Sequence, residues 1–322
     1  MKKPTILFRA DASSQIGYGH FIRSLALAEM LKNDFEIRFA TVNPTGYQLQ
    51  ELSAVCSCIQ LNQNSHFEDF LSLLTGNEIV VLDNYFFTTE YQQKIKNKGC
   101  KLVCIDDMHD RHYVADIVIN HGVDDPTLFS VEPYTGLCLG VEWALLRKPF
   151  LEASSRNNPK NQAIKNIVVN FGGVDYHDIT NKVIKKLKSQ NPEIIINAIV
   201  GGGYSGKIES SDTVRFHQSV SAQKVADLFS QCDLAVLSAS TICFEALACN
   251  TKIAAGYYVD NQIDIWEYLK KINAIYDIGF LLDDKILADS SFFAPSSYEE
   301  KTINFKEIPC NYIKKISTLK SQ

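Results

Sequence analysis

Apolar positions along the chain fall into short unbroken runs, each closed by a polar or glycine-bearing turn and followed by a segment of helical spacing. Runs at 6–10, 36–41, 55–61, 78–83, 101–105 and 115–120 read as strands, and segments at 19–31, 67–74 and 89–98 read as helices. Gly99 closes the last of these as a natural C-cap. Short apolar strands alternating with helices predict an α/β domain with a mainly parallel sheet. Near residue 150 the pattern stops: 152–161 has almost no apolar content and includes Pro159, which predicts an interdomain linker. It then resumes, with strands at 166–171, 193–200, 214–217 and 233–238 and helices at 179–187, 225–231 and 241–249. Asp178 is the expected N-cap of the first of these helices. The pattern therefore predicts two α/β domains, 1–151 and 162–322, the second ending in a polar tail that it does not place beyond about 283.

The first helix carries most of the information. Between 19 and 31 only Arg23 and Glu29 are charged, so this helix is apolar nearly all round and belongs against a sheet. His20 stands in its first turn, just beyond the mouth of the first strand. Ligands of open parallel sheets bind at the carboxyl ends of strands, so an imidazole falls at the most probable ligand site. A lone histidine is usually structural. Here Gly17 and Gly19 allow a tight turn and close approach, Ser13, Ser14 and Gln15 add hydrogen-bonding capacity, and the helix start favours anions. Gly17-Tyr18-Gly19 is not a dinucleotide fingerprint, because Ile22 stands where the third glycine is needed.

Bulk properties narrow the class. The 322 residues suit two domains, and 46% hydrophobic with 21% charged residues is ordinary for a soluble globular protein. A net charge of −5 without a basic stripe argues against a nucleic-acid partner. No apolar stretch has the length of a membrane span, and no h-region precedes the first strand, so neither a membrane partner nor a signal peptide is expected. The nine cysteines are an odd number, and Cys104, Cys138 and Cys243 lie inside apolar runs; they read as reduced thiols of a cytoplasmic protein. Cys56-x-Cys58 and Cys100-x-x-x-Cys104 lack a second pair at zinc spacing, so neither a metal nor a cofactor is expected.

Other motifs divide. Gly201-x-x-x-x-Gly206-Lys207 follows a strand, but Ile208 occupies the position where a phosphate-binding loop holds magnesium, so it reads as a plain loop. Asp106-Asp107 with His109 and His112 reads as loop capping. Ser238-Ala239-Ser240-Thr241 at a strand-to-helix turn offers hydroxyls and N–H groups to a phosphate, with Glu245 one turn on as an acceptor for ribose hydroxyls. Gly172-Gly173-x-Asp175 supplies a second close-approach loop. Two such loops on one domain and a histidine loop on the other suggest a nucleotide diphosphate held across a cleft.

These residues carry a resemblance. Arg9-x-Asp11-x-x-x-x-Ile16-Gly17-x-Gly19-His20-x-x-Arg23 resembles the opening signature of the UDP-2,4-diacetamido-2,4,6-trideoxy-β-L-altropyranose hydrolases of pseudaminic acid biosynthesis. Asp83-x-Tyr85, Asp106-Asp107, Asn120, Ala144-Leu145-Leu146-Arg147-x-x-Phe150, Gly172-Gly173-x-Asp175, Ser238-Ala239-Ser240, Glu245 and Asp260-Asn261-Gln262 follow in the family's order. The similarity covers roughly residues 5–270. It departs at Asn250-Thr251-Lys252, where the family usually has Gly-x-Pro. The resemblance implies a GT-B fold of two Rossmann-like domains facing each other across a cleft, related to the inverting N-acetylglucosaminyltransferase of peptidoglycan synthesis. It implies His20 as general base, Tyr85 near the sugar, and Glu245 and Asn261 at the nucleotide end. Substrate contacts are further expected from Arg9, Asp11, Gly17, Tyr18, Gly19, Asp83, Arg147, Gly172, Gly173, Asp175, Ser238, Ser240, Thr241 and Gln262.

The function expected is metal-independent, inverting hydrolysis of a UDP-activated diacetamido-trideoxy sugar, with water and the UDP-sugar as the only partners. A GT-B glycosyltransferase using the same histidine on an acceptor hydroxyl is the first alternative, and a non-catalytic nucleotide-sugar binder the second.

Overall fold

The computed structural model describes residues 3–13, 17–156, 163–283 and 303–320. Ser14, Gln15 and Ile16, the linker positions from 157 onward and most of the tail expected after 283 lie outside the described residues. The chain divides into two compact units, Met1–Lys148 with Glu307–Gln322, and Pro149–Lys306.

The first unit is a parallel sheet of seven strands: β1 (Thr5–Ala10), β2 (Glu36–Val42), β3 (Ser57–Leu61), β4 (Ile79–Asp83), β5 (Lys101–Ile105), β7 (Ile117–Asn120) and β9 (Gly136–Leu139). β6 (His112–Tyr113) and β8 (Ser130–Val131) form a small separate pair. Spatial order is β3-β2-β1-β4-β5-β7-β9, so the winding reverses between β1 and β4. β4 is buried at every position, which is why it reads as a continuous apolar run and not as an alternating one. Helix α1 (Gly19–Leu31) buries nearly its whole circumference, with Phe21 meeting Phe39 of β2 edge-on at 5.6 Å. Each such aromatic burial contributes about 1.5–3 kcal/mol. The remaining helices of this segment are α2 (Gly46–Ser53), α3 (His66–Ser72) and α4 (Thr89–Asn97), and the short α5 (Lys148–Ala153) starts at the boundary and runs into the second unit.

The second unit has β10 (Asn166–Asn170), β11 (Ile195–Val200), β12 (Val214–Gln218), β13 (Leu234–Ser238), β14 (Lys252–Tyr257) and β15 (Tyr276–Phe280), with helices α6 (Ile179–Gln190), α7 (Ala222–Gln231), α8 (Thr241–Ala248) and α9 (Ile263–Lys271). The sheet is parallel in the order β12-β11-β10-β13-β14-β15, so its reversal lies between β10 and β13. This is the doubly wound arrangement of a dinucleotide-binding fold. β14 and β15 are strands that the pattern left unassigned.

Two local expectations are corrected. The last helix, α10 (Ile308–Ser317), belongs to the first unit and packs against α1, so the region after 162 does not stay in one domain to its end. Its apolar stripe, Ile308, Tyr312 and Ile316 at four-residue spacing, is buried, and the Tyr312 hydroxyl donates to the Trp143 carbonyl at 2.5 Å. Asp178 does not cap α6: it sits at φ 51° without a side-chain cap bond, while the Asp175 carboxylate accepts the N–H groups of Ile179 (2.9 Å) and Thr180 (2.8 Å). At the family departure, Asn250 takes the left-handed conformation (φ 55°) that glycine supplies elsewhere, and the Thr251 hydroxyl donates to the Phe229 carbonyl at 2.7 Å.

Candidate active site

The site of the first unit is built at the reversal of its sheet. Ala10, the last residue of β1, lies in register with Asp83, the last residue of β4. The chain leaves β1 through a loop and re-enters the fold as α1, which brings His20 over the end of β4. Asp83 Oδ1 lies 2.7 Å from His20 Nδ1 and 2.6 Å from an Arg23 guanidinium nitrogen. Oδ2 accepts Arg23 Nε at 2.7 Å and the Ser24 hydroxyl at 3.1 Å. Arg23 also donates to Asp107 Oδ2 at 2.8 Å, and the Tyr85 hydroxyl donates to the same oxygen at 3.1 Å. The Tyr85 ring then stands edge-on against the imidazole, centroids 4.6 Å apart.

Charge sets the proton positions. Burial alone would raise the Asp83 carboxyl, but Arg23 and His20 outweigh it and hold it below the usual carboxylate range. Asp107 is pulled the same way, Arg23 again outweighing burial. Burial opposes the Arg23 charge, yet the two carboxylates raise its pKa further. An ionised carboxylate 2.7 Å from Nδ1 demands a proton on that nitrogen, since two lone pairs would otherwise face each other. Nε2 is then the basic atom of neutral His20. His121, buried beside this cluster, is pushed down to about 4 by burial and by the Arg23 charge, so it is neutral at pH 7.

The imidazole is less open than its place at a strand mouth suggests. His20 is 5% exposed, while Tyr85 beside it is 46% exposed. A cavity of about 20 Å³ borders Arg23, Tyr85 and Asp107, room for one water. His20 is not among the residues that line it.

The other expected residues of this unit separate by role. Arg9 and Asp11 do not present free groups to a ligand. Arg9 is fully buried and forks onto both Asp11 oxygens at 2.5 and 2.8 Å, with a further contact to His66 Nδ1 at 2.9 Å. Asp11 Oδ1 also accepts the Thr41 hydroxyl and the Val42 N–H, and the Asp11 N–H donates to Asn84 Oδ1 at 2.7 Å. The pair ties the ends of β1, β2 and β4 together. Gly17 is left-handed (φ 77°), as the tight turn requires, and Tyr18 precedes α1 without capping it through its side chain. Gly19 is exposed and a side chain there would meet nothing within 4 Å. Arg147 is half-buried just before α5. Of the paired acids, Asp106 does cap its loop through the N–H groups of Met108 and His109, whereas Asp107 turns to Arg23.

In the second unit the expected loops also meet at a reversal. The turns after β10 and β13 leave adjacent strands at their carboxyl ends, Asn170 lying in register with Leu237. Gly172 is left-handed (φ 90°) and Gly173 is open to solvent. Ser240 begins α8 without capping it; its hydroxyl reaches only the Ser238 carbonyl at 3.5 Å. Ser240 and Thr241 are half-buried, Ser238 and Glu245 buried. Asn261 is exposed in the turn after β14, while Gln262 spends its amide oxygen on the Tyr258 N–H at 3.0 Å. Asp175 is likewise committed to the start of α6.

Sequence reasoning underrated Arg23, Asp107, Ser24 and His121. Arg23 had a signal, being one of two charges in an otherwise apolar helix, and Asp107 stood in the Asp106-Asp107 pair; Ser24 and His121 became visible only through the fold.

Fold and site geometry define a two-domain Rossmann-like protein of the GT-B class. The solved structures agree. The chain is similar to the MurG of Acinetobacter baumannii (TM-score 0.53, 12% identity, 98% of this chain and 90% of that one). It is also similar to Phytolacca americana UGT2, solved with UDP-2-fluoro-glucose and pterostilbene (0.60, 11%, 100% and 94%), and to the calicheamicin glycosyltransferase CalG4 (0.62, 11%, 100% and 99%). No family model matches the chain. Among curated proteins it is 24% identical over 280 residues to the UDP-2,4-diacetamido-2,4,6-trideoxy-β-L-altropyranose hydrolase of Campylobacter jejuni, covering 83% of this chain and 96% of that protein. This accords with the resemblance read from the motifs. An uncharacterised protein of Methanocaldococcus jannaschii is 26% identical over 284 residues, 82% of this chain but 58% of that longer protein.

Proposed function

We propose that the protein is an enzyme acting on a UDP-sugar, and specifically that it hydrolyses a UDP-activated 2,4-diacetamido-2,4,6-trideoxy sugar to the free sugar and UDP, in pseudaminic acid biosynthesis. The observation that carries the chemistry is the His20–Asp83 pair at 2.7 Å, which leaves Nε2 as a base. Nε2 takes a proton from water as the oxygen attacks the anomeric carbon from the face opposite UDP. The carbon–oxygen bond to UDP breaks, and inversion follows. A histidine side chain is the commonest general base for such a proton transfer. The N–H groups at the start of α8 and the hydroxyls of Ser240 and Thr241 take the charge of the departing diphosphate. The relative from Campylobacter jejuni supports the hydrolase reading at the level of sequence likeness.

The glycosyltransferase reading draws on the fold neighbours, several of which are glycosyltransferases. One experiment separates the two. In ¹⁸O-water without acceptor, a hydrolase releases UDP quickly and the label enters the sugar. Label in the nucleotide would place attack at phosphorus, and UDP release that waits for an acceptor would establish the transferase.

A further inference from the structure

Two imidazoles at the carboxyl end of the first unit's sheet are held by opposite charges. His20 has the Asp83 carboxylate at Nδ1. His66 opens α3, after the loop that leaves β3, and an Arg9 guanidinium nitrogen lies 2.9 Å from its Nδ1. Arg9 belongs to β1, in register with Ala40 of β2 and Leu82 of β4, and is fully buried with its fork on Asp11. The cation is fixed, and the ring has to answer to it.

A guanidinium only donates, so His66 Nδ1 has to present its lone pair. In the neutral ring the proton then sits on Nε2. Burial and the Arg9 charge both lower the His66 pKa, against Asp11, Glu68 and Asp69, so the ring is neutral at pH 7. His20 and His66 therefore take opposite tautomers: the first offers a lone pair at Nε2, the second an N–H. Among the described residues no acceptor meets that N–H. The ring is half-buried, its centroid 4.1 Å from that of Phe67 and 5.9 Å from that of Phe86, and both phenyl rings are half-buried too. Phe86 directly follows Tyr85, whose ring stands against His20. Together these residues make one neutral donor with apolar rings beside it.

We propose that His66 Nε2 donates a hydrogen bond to the carbonyl oxygen of one acetamido group of the substrate, with Phe67 and Phe86 against the acetyl methyl. This contact, which rests on the UDP-sugar reading above, makes His66 a residue that selects the acetamido group. A cationic donor would compete for the diphosphate, whereas a neutral donor matches a neutral carbonyl. A sugar hydroxyl could accept from the same N–H, but phenyl walls offer it nothing further.

Two measurements test it. ¹⁵N NMR of the full-length wild type at neutral pH reads the His66 tautomer, its signal assigned by its loss in His66→Gln. A proton on Nε2 and a bare Nδ1 are expected; a proton on Nδ1 overturns the proposal. Steady-state UDP release then reads the contact, using the UDP-diacetamido sugar and its two analogues that each lack one acetyl group. The wild type prefers the diacetamido sugar to one of the analogues. His66→Phe keeps a ring between the phenyl groups and loses the donor, so KM rises about tenfold, kcat changes little and the preference narrows. His66→Gln, which restores an N–H near the Nε2 position, recovers part of the affinity. A wild-type KM with an unchanged preference in His66→Phe overturns the proposal and leaves the hydrolase reading standing. No UDP release by the wild type from any of the three sugars overturns that reading and this contact with it. Melting curves restrict the comparison to folded variants.

Discussion

Asp83 holds His20 and Arg23 with one and the same oxygen, at 2.7 and 2.6 Å. Because it closes the strand at which the winding of the sheet reverses, the backbone of β4 fixes where the imidazole can sit. The loop after β1 supplies the imidazole, but the carboxylate decides its tautomer.

Replacing Asp83 by Asn removes the ionised acceptor at Nδ1. Turnover falls roughly 10²–10⁴-fold, the range of a lost general base, while nucleotide binding persists. The variant also leaves Arg23 short of a buried partner, which costs on the order of 3–5 kcal/mol. Turnover measured at a temperature where melting curves show a folded protein separates the two effects. Unchanged turnover would remove the pair from the mechanism.

His20→Ala costs a similar factor, again roughly 10²–10⁴-fold. UDP affinity measured by titration should stay near wild type, since the proposed mechanism uses the imidazole at the sugar end. A loss of UDP affinity with normal turnover would contradict this.

Tyr85 acts through ring and hydroxyl separately. Tyr85→Phe keeps the ring against His20 and loses the bond to Asp107, for a loss of roughly tenfold or less in kcat/KM. Tyr85→Ala uncovers the imidazole and is expected to be the more damaging change. Steady-state rates for the two variants decide the order.

Acid should weaken the fold in two stages. His121 titrates near 4 in the folded protein and near 6.5 when unfolded, so the unfolded chain binds the proton first. Its contribution is complete above about pH 6.5 and is lost as pH falls toward 4, a total of about 3 kcal/mol. Asp83 and Asp107 have depressed pKa values, so their contribution is complete above about pH 4 and is lost below it. Melting temperature against pH should decline in both windows, and His121→Gln should flatten the first one only.

Gly201→Ala should disturb the Gly172-Gly173 loop of the second unit. A Cβ there would lie 2.3 Å from the Gly173 carbonyl oxygen and 2.6 Å from its Cα, and backbone cannot yield. The expected loss is about 1–3 kcal/mol in urea titrations, with weaker UDP binding. Gly202→Ala meets only the Ser219 hydroxyl at 3.2 Å and should cost less.

Much of this was legible before the fold. Buried parallel strands are apolar on both faces, so the runs at 78–83 and 101–105 announced themselves. His20 was marked by glycines and by its place at a helix start. Capping was harder to assign: Asp175 and Asp178 are both acids before α6, and only the left-handed turn decides which carboxylate meets the helix N–H groups. The stripe of α10 was hidden in a mixed tail, because a ten-residue helix offers little periodicity and its partner α1 is almost 300 positions earlier in the chain.

By itself the sequence determined the class of fold, the two-unit plan and the imidazole at the end of the first strand, since these follow from local spacing and turn chemistry. Tertiary structure decided which charges face each other. It sent Arg9 inward to Asp11 and His66, and split Asp106 from Asp107. The physical reason is that electrostatic partners are set by distance in space, and parallel winding brings together residues that lie far apart along the chain.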